Sequence, residues 1–308
     1  MKRVFLFLLY SLVLASCGQI KFYNDNIKFY GDEDIEPSHK ITYTSTGGKV
    51  EPYNDDFGAD IKSNKIDGNQ GVIKFRGAVT KIGQKAFYYC DNLTGITIPD
   101  SVTEIGSYAF EYCTNLTSII IPNSVTSIGE YTFSHCNDLT RITIGDSIVS
   151  IGVCSFKDCT SLTSITIPDS VTFISTNAFR NCSSLTSVTM GNRTSVISSC
   201  AFYGCAGLTS VIIPDSVTSI GETAFGGCTS LTSVTIGNSV TSFGWWVFES
   251  CTSLTEVYCK PKTPPTAYWP FGSATSRLKI FVPRNSVETY KSANGWRDYK
   301  DNIVGYDF

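Results

Sequence analysis

The stretch Ser216–Asn238 reads SVTSIGETAFGGCTSLTSVTIGN, and close copies of it occupy most of the 308-residue chain. A phenylalanine recurs every 23 residues without insertion, followed three residues later by a cysteine and six residues later by a leucine. A fixed period of this size indicates a repeat architecture in which stacked units bury one shared core. The eight phenylalanines that mark the units are Phe87, Phe110, Phe133, Phe156, Phe179, Phe202, Phe225 and Phe248.

Each unit predicts two extended segments joined by turns. In Leu231-x-x-Val234-x-Ile236 the apolar residues alternate with polar ones, which is the period of a strand. Gly237 ends this run, and glycine or proline fills the same place in other units. A second extended piece, Val-Thr-Ser-Ile, comes next, and we expect Ala-Phe-x-x-Cys to return to the next leucine as a helical turn. The apolar positions of successive units then form one continuous column.

The unit L-x-x-I-x-I-P-x-S-V-T-x-I-G-x-x-A-F-x-x-C-x-x resembles the BspA-like, Treponema-type leucine-rich repeat of Bacteroidetes surface lipoproteins. The resemblance implies a β-rich repeat solenoid, a leucine-rich repeat array of eight 23-residue units with a parallel strand face and a cap at each end. It also implies a surface-associated binding or adhesion role, and it brings no catalytic motif.

The N-terminus predicts an exported, lipid-anchored protein. Lys2-Arg3 precedes an apolar run that is too short to span a bilayer, and Leu14-Ala-Ser-Cys17 resembles the bacterial lipobox. The resemblance implies that Cys17 is lipidated; an ordinary secretory signal with a coincidental cysteine is the alternative. The domain boundaries we expect are 1–16 signal peptide, 17–40 lipidated tether, 41–77 N-terminal cap, 78–261 eight repeats, and 262–308 C-terminal cap with a strand and a short helix.

Composition excludes several classes of function. The formal net charge of -3 argues against a basic surface for nucleic acid. Two histidines in the chain make a histidine-based metal or proton-transfer site improbable. The outward positions of the predicted strand face contain no carboxylate pair, no Ser-His-Asp set and no glycine-rich phosphate loop, and we predict no cofactor, no metal and no enzyme. An enzyme confined to residues 18–77 is the least favoured alternative.

The twelve cysteines divide into groups. Eight of them recur every 23 residues and form a ladder with one thiol per repeat. Because parallel side chains in such a ladder suit neither a metal site nor a disulfide, we interpret these cysteines as reduced side chains that pack in the core. Cys259 replaces an isoleucine of the core, whereas Cys154 and Cys200 fall in a variable position and are expected to be exposed or half-exposed free thiols. The ladder consists of Cys90, Cys113, Cys136, Cys159, Cys182, Cys205, Cys228 and Cys251.

Two sets of residues are candidates for ligand contact. The first is the outward stripe of the strand face, rich in hydroxyl groups, which is either a neutral binding surface or simply a solvated face. It comprises Ser118, Ile120, Arg141, Thr143, Ser164, Thr166, Ser187, Thr189, Ser210, Ile212, Ser233, Thr235, Glu256 and Tyr258. The second is an aromatic platform of Trp245, Trp246 and Trp269, for which packing beneath the C-terminal cap is the alternative.

These features predict a lipid-anchored, non-enzymatic binding or adhesion module at the cell envelope, an outer membrane lipoprotein on either the surface or the periplasmic face. A host or bacterial surface protein is the expected partner. A glycan-binding accessory lipoprotein of a polysaccharide uptake system and a purely structural envelope protein are the alternatives. Asp-Ser-Val at 100, 169 and 215 and Asp-Ser-Ile at 146 also resemble acceptors for O-glycosylation in Bacteroidetes, although such turns favour Asp and Ser anyway.

Overall fold

The computed structural model describes residues 36–272 and 277–308. The predicted signal peptide, the lipidated Cys17 and most of the predicted tether lie outside the described residues. A short 3-10 helix, Pro37–His39, begins the described part. From there to the C-terminus the chain forms a solenoid.

Three antiparallel strands cover the N-terminal end of the solenoid. They are β1 (Lys40–Ser45), β2 (Ile61–Asp67) and β3 (Gln70–Phe75), with β3 in the middle and β1 next to the first repeat. β1 also pairs antiparallel with β5 (Leu93–Thr97), the first long strand of the repeats. The open end of a solenoid exposes apolar surface, and this layer buries it: Phe57 is buried, and its ring lies 5.7 Å from that of Phe87.

The long strands of the repeats form one side of the solenoid, here called the strand side. The strands pair in parallel with residues 23 apart in register, as in Val211 against Val234, within three sheets that are separated between residues 143 and 164 and between residues 189 and 210. Because side chains alternate along a strand, the central residue points to the core and its two neighbours point to solvent. After β5 the long strands are β7 (Ser118–Ile120), β9 (Arg141–Thr143), β11 (Ser164–Thr166), β13 (Ser187–Thr189), β15 (Ser210–Ile213), β17 (Ser233–Ile236) and β19 (Glu256–Cys259).

A nine-stranded parallel sheet of very short strands forms a second side. Its residues come from the Val-Thr-Ser-Ile segments, in which the isoleucine is buried and the preceding residue is more accessible. The strands are β4 (Lys81–Ile82), β6 (Glu104–Ile105), β8 (Ser127–Ile128), β10 (Ser150–Ile151), β12 (Phe173–Ile174), β14 (Val196–Ile197), β16 (Ser219–Ile220), β18 (Ser242–Trp245) and β20 (Thr266–Tyr268).

The third side of the solenoid is here called the turn side, and the expectation of a helical turn there was wrong. The Ala-Phe-x-x-Cys segments contain no helix; they are successive turns with two left-handed residues per repeat, such as Lys85 and Tyr89 at φ of 60° and 59°. Alternate backbone N–H groups bond within the turn or to the next repeat: Cys90 donates to the Phe87 carbonyl, whereas Phe87 donates to the Ala109 carbonyl. This alternation satisfies the backbone without an α-helical hydrogen-bond pattern.

Phenylalanine rings stack along the whole core. From Phe87 to Phe271 the ring of each repeat lies 5.1–5.7 Å from the next, with interplanar angles of 4–14°. Each repeat adds buried alanine or a small substitute, cysteine, leucine, valine and isoleucine around this column. Full burial of each phenylalanine contributes about 1.5–3 kcal/mol, which makes the column a major source of stability.

The repeat register continues beyond residue 261. β21 (Lys279–Pro283) pairs with β19, and β22 (Ile303–Tyr306) pairs with β21, both in parallel with residues 23 apart. Between these two strands lie α1 (Val287–Ser292) and the 3-10 helices Arg284–Ser286 and Arg297–Asn302. Trp296 is buried, and its Nε1–H donates to the Pro265 carbonyl at 2.8 Å. The C-terminal end is thus closed by an irregular continuation of the repeat.

Candidate ligand-binding surfaces

The strand stripe, the fourteen residues from Ser118 to Tyr258 predicted above, lies on the outside of the strand side. Its residues stack in two rows by the 23-residue register, for example Ser164 beside Ser187 and Thr166 beside Thr189. Its residues are exposed from Ser118 to Ile212 and half-buried in the last two strands, β17 and β19. Ile212, with 67% of its surface exposed, interrupts a face made mostly of hydroxyl groups. The stripe is therefore flat, nearly neutral and able to form hydrogen bonds.

An aromatic cluster that the sequence analysis missed adjoins the C-terminal end of this stripe. The Tyr258 ring stacks on Phe281 with centroids 4.8 Å apart, and Tyr306 lies 5.5 Å from both rings. Phe308 continues the cluster beside Tyr306. Phe281 follows Tyr258 by 23 residues, so extending the repeat period past residue 261 would have predicted that Phe281 joins this cluster. Tyr306 does not follow Phe281 by this period, so the period carries no signal for it.

The structure leaves all three residues of the predicted aromatic platform exposed. Phe271 and Trp296 pack under the C-terminal cap, but Trp245, Trp246 and Trp269 are exposed. The exposed fractions of Trp246 and Trp269 are 36% and 56%. With Tyr268, which stacks on Trp245 at 4.8 Å, these three tryptophans form a surface here called the tryptophan patch.

The backbone of the tryptophan patch is the one that the turns of the other repeats also adopt. Trp246 and Trp269 occupy the first left-handed position of their turns, at φ of 55° and 48°. Holding a non-glycine residue in this conformation costs roughly 1–2 kcal/mol. Neither ring is needed to fill the core, so the fold does not explain why tryptophan stands at these positions.

A second aromatic surface lies on the turn side of the first repeats and was not predicted. Tyr89, Tyr112 and His135 occupy the second left-handed position of successive turns, and their rings stack at 4.4 and 4.5 Å. Tyr108 and Tyr131 occupy the first left-handed position and stack at 5.1 Å. We call these two ring rows, with the residues between them, the tyrosine strip. Its signal in the sequence was present, as tyrosines spaced by the repeat period.

The floor of the tyrosine strip is polar. Glu111 and Ser134 occupy the same position of successive turns, between the two ring rows, and are exposed by 8% and 0%. The Ser134 hydroxyl has no hydrogen-bond partner. Burial raises the pKa of Glu111, and the positive charges of Lys85 and Lys157 oppose this rise. Most buried polar groups in proteins are hydrogen-bonded, and the enclosed hydroxyl groups of Ser134 and Ser155 are exceptions to this rule.

The cysteine ladder has a regular geometry. From Cys113 to Cys251 each thiol donates to the carbonyl of the phenylalanine one repeat earlier, at 3.0–3.3 Å, and Cys90 donates to Glu51. Burial raises the pKa of Cys205 to about 12, which opposes thiolate formation. All eight ladder cysteines are buried and free.

The other cysteines lie in three different environments. Cys259 is buried in the isoleucine position, with its thiol 3.4 Å from the Tyr290 hydroxyl. Cys200 is half-buried and lies 3.1 Å from the Thr223 hydroxyl. The expectation of an exposed or half-exposed Cys154 was wrong: this thiol is buried, and its hydrogen bond with the Tyr131 side chain raises the pKa of that tyrosine to about 12.

Among residues 36–272 and 277–308, no group of three or more His, Cys, Asp or Glu side chains could hold a metal ion. His135 has a single acidic neighbour, with its Nε2 3.4 Å from a carboxylate oxygen of Asp158. Within the same residues, no helix is both long and apolar enough to cross a membrane.

The four Asp-Ser turns differ in how their serines lie. Ser101 and Ser216 donate to backbone carbonyls of the preceding repeat at 2.7 Å, and the Ser170 hydroxyl is buried without a partner. Ser147 is exposed. Any modification of the folded chain at these turns would therefore favour Ser147.

Comparisons with known proteins agree with this architecture. A sequence profile described as BspA type leucine rich repeat region matches residues 80–209 and 172–293, with six copies. No curated protein gave a significant match.

Similar solved structures are bacterial leucine-rich repeat proteins. One from Bacteroides ovatus is 23% identical, with a TM-score of 0.42, over 79% of this chain and 72% of that protein. One from T. pallidum is 29% identical, with a TM-score of 0.42, over 62% of this chain and 75% of that protein. A leucine rich cell surface protein from Faecalibacterium prausnitzii is 25% identical, with a TM-score of 0.34, over 75% of this chain and 77% of that protein.

Proposed function

Because the chain belongs to the BspA-type leucine-rich repeat family, we propose that it is a non-enzymatic module that binds proteins at the bacterial cell surface. Leucine-rich repeat solenoids of this family are typically scaffolds without catalytic activity, and they generally mediate protein binding. The rigid stack of repeats would present its surfaces to a host or bacterial surface protein.

The tryptophan patch is the observation that carries this proposal. Tryptophan and tyrosine dominate the residues that contribute most to protein–protein affinity, especially when they cluster. Trp246 and Trp269 are exposed in a backbone conformation that is unfavourable for them. The strand stripe would add hydrogen bonds around the ligand but few strong contacts, since scattered hydroxyl groups on a flat face are readily solvated.

An array of purified extracellular-matrix and bacterial envelope proteins, printed beside neutral glycans, tests the proposal. We expect the purified full-length chain to bind at least one protein, and Trp246→Ser with Trp269→Ser to weaken that binding by roughly 30-fold or more. Asn177→Gly, in the first left-handed position of a middle repeat, is the matched control and should bind as the wild type does. Binding to glycans alone, or protein binding that the double variant leaves intact, would reject the proposal.

We further propose that a lipid on Cys17 holds the chain at the outer membrane, with residues 1–16 removed as a signal peptide. Acyl chains on a mature N-terminal cysteine would anchor the protein without a spanning helix. Cys17→Ala should release the protein from the membrane fraction, and unchanged fractionation would contradict the anchor. Protease treatment of intact cells then separates surface exposure from a periplasmic location, because only a surface-exposed solenoid is cleaved or shed.

A further inference from the structure

The strand side ends at β22, where the sheet has an open edge. In the part of the chain that the structure describes, the last sheet has the order β15-β17-β19-β21-β22, so β22 has β21 as its single neighbour. A strand at the edge of a sheet presents unpaired backbone N–H and C=O groups, which are a template for pairing with another strand. The sheet can therefore be extended from β22 by a strand of another chain.

The hydrogen bonds of the earlier strands show which backbone groups of β22 face this edge. Core-facing residues donate toward the C-terminal end, as the Ile121 N–H does to the Thr143 carbonyl, whereas outward residues such as Lys279 donate to the preceding strand. Gly305 pairs with the buried Val282 and so continues the core-facing register. Its N–H and carbonyl thus point away from β21 and toward the open edge.

The outward face of β22 is apolar, unlike that of most other long strands. Val304 and Tyr306, with Phe308 two residues further on, are exposed by 40%, 41% and 52%. The strand stripe holds mostly serine and threonine at the outward positions. The Tyr306 ring lies 5.5 Å from the rings of Tyr258 and Phe281, so the apolar face continues from the edge onto β19 and β21. Apolar side chains clustered at one exposed place are typical of an interaction surface.

The edge at the N-terminal end of the strand side is built differently. β2 forms that edge and carries the exposed side chains of Lys62 and Lys65. Lysines on an edge strand are a common protection against pairing with other chains. β22 contains no charged residue, and the Asp307 carboxylate that follows it lies 2.7 Å from the Arg284 guanidinium. The C-terminal edge therefore lacks the protection that the N-terminal edge has.

A second copy of this chain fits the β22 edge better than a charged or polar strand does. A two-fold axis pairs the two β22 strands antiparallel, which places Val304, Tyr306 and Phe308 of both copies on one face of the sheet. Because Asp307 is neutralised by Arg284, the two edges meet without like-charge repulsion. Pairing of β22 with the β2 edge of another copy would instead set lysines beside the apolar face.

We propose that the chain forms a two-fold symmetric dimer through its C-terminal edge, with the β22 strands of the two copies joined in one continuous sheet. The Gly305 N–H and carbonyl bond to the partner strand, and the row of Val304, Tyr306 and Phe308 is covered by the same row of the second copy. Since one short strand from each copy forms the centre of the interface, the dimer is a weak one that forms at micromolar concentrations. The proposal concerns a different surface from the tryptophan patch and does not depend on the proposed protein-binding function.

Sedimentation velocity and hydrogen exchange test the dimer on the purified full-length chain at roughly 1 to 100 µM. We expect the average mass to rise toward twice that of the monomer, and amide exchange in residues 303–308 to slow as the concentration rises. Val304→Lys adds to this edge the kind of side chain that β2 carries, and it should raise the dissociation constant by about 10-fold or more.

Ile120→Lys is the matched control for Val304→Lys. Ile120 lies in the same outward row eight repeat periods earlier, is exposed by 45%, and belongs to β7, which has strands on both sides. Its variant should dimerise as the wild type does. Thermal melting verifies that each variant folds, and Phe308→Ser, which should also weaken the dimer, tests the same face if Val304→Lys does not fold.

Three results would overturn the proposal. The first is a wild type that stays monomeric at the highest concentration, or a dimer that Val304→Lys and Phe308→Ser leave intact. The second is slow exchange in residues 303–308 at every concentration without a change of mass, which would mean that another segment of the same chain covers the edge. The third is slower exchange in residues 61–67 together with assemblies larger than a dimer, which would replace the two-fold dimer with head-to-tail pairing.

Discussion

The turn side of the first three repeats and the turn side of the sixth and seventh repeats share a backbone but carry different side chains. In the early repeats the second left-handed position holds Tyr89, Tyr112 and His135; in the later ones it holds Gly204 and Gly227. The hydrogen bonds between turns follow one pattern throughout: Tyr89 donates to the Glu111 carbonyl as Gly204 donates to that of Gly226. The backbone therefore accepts either kind of residue.

The core beneath these two regions does not differ. Phe110 lies 5.3 Å from both of its ring neighbours, and Phe202 lies 5.1 and 5.2 Å from its own. Folding thus depends on positions that repeat, while the turn surface varies freely above them. The comparison teaches that the repeat fixes the left-handed backbone of each turn, whereas the side chain displayed there differs from repeat to repeat.

The largest effect should come from the phenylalanine column, and it should be equal in the two regions. Phe110→Ala beneath the tyrosine strip and Phe202→Ala beneath the glycine turns should each lower the free energy of unfolding by about 3–5 kcal/mol, because each leaves a cavity in a packed stack. Urea unfolding followed by tryptophan fluorescence measures both. A difference above about 2 kcal/mol between the two variants would show that the core is not uniform.

The cysteine ladder should have the next largest effect. Cys159→Ala removes a thiol that donates to the Phe133 carbonyl at 3.1 Å, and we expect it to lower the free energy of unfolding by about 1–2 kcal/mol. Cys159→Ser keeps a donor and should recover part of this loss. If serine is as destabilising as alanine, the thiol acts by its volume alone.

Alkylation by iodoacetamide gives an independent check on the same ladder. In the native protein Cys200 should react ahead of the other cysteines that the structure describes, because it is half-buried and they are buried. Mass spectrometry of the modified peptides identifies the reactive site. Rapid modification of ladder cysteines without unfolding would contradict the buried arrangement.

The sequence was sufficient to predict the solenoid, because its period is unbroken and every core position repeats. It was misleading for the turn: Ala-Phe-x-x-Cys has a helical spacing, but the left-handed residues of each turn, such as Lys85 and Tyr89, are set by hydrogen bonds to the next repeat. The burial of Cys154 also depends on a neighbouring repeat, through Tyr131. A reading of single units cannot supply contacts between units.

The candidate sites were predicted less completely. Strand alternation placed the residues of the strand stripe outside, and the position of Trp246 in a polar slot singled out the tryptophan patch. The tyrosine strip was missed because its members are spread over variable positions of three repeats. Only the stacked structure brings Glu111 and Ser134 between the ring rows.

Exchanging residues between the two turn regions should have a smaller effect on stability. Gly227→Tyr should lower the free energy of unfolding by about 1 kcal/mol, since a side chain is forced into the left-handed conformation where a Cβ would have ordinary packing room. Tyr112→Gly relieves that strain but loses its ring contacts, so we expect a net change below about 1 kcal/mol. Thermal and urea unfolding compare the two. A Tyr112→Gly variant that fails to fold would show that the ring row is structural.

The smallest effect, and the one that most sharpens the comparison, concerns the charge of Glu111. Its pKa is raised in the folded chain, chiefly by burial, while Lys85 and Lys157 pull it down. The native state therefore holds this proton at a pH where the unfolded chain has released it, and stability falls as the pH rises through that interval. Glu111→Gln removes this dependence.

The Glu111→Gln variant should thus be more stable than the wild type at pH 7, by less than about 1 kcal/mol, and about equal to it near pH 3, where Glu111 is protonated in both states. Urea midpoints at the two pH values measure the difference, and Glu249→Gln, at the same turn position in the eighth repeat, controls for the substitution itself. A glutamine variant that is less stable at pH 7 would mean that the carboxylate has a structural partner. The expected gain would instead show that burial of the Glu111 carboxylate costs the fold stability.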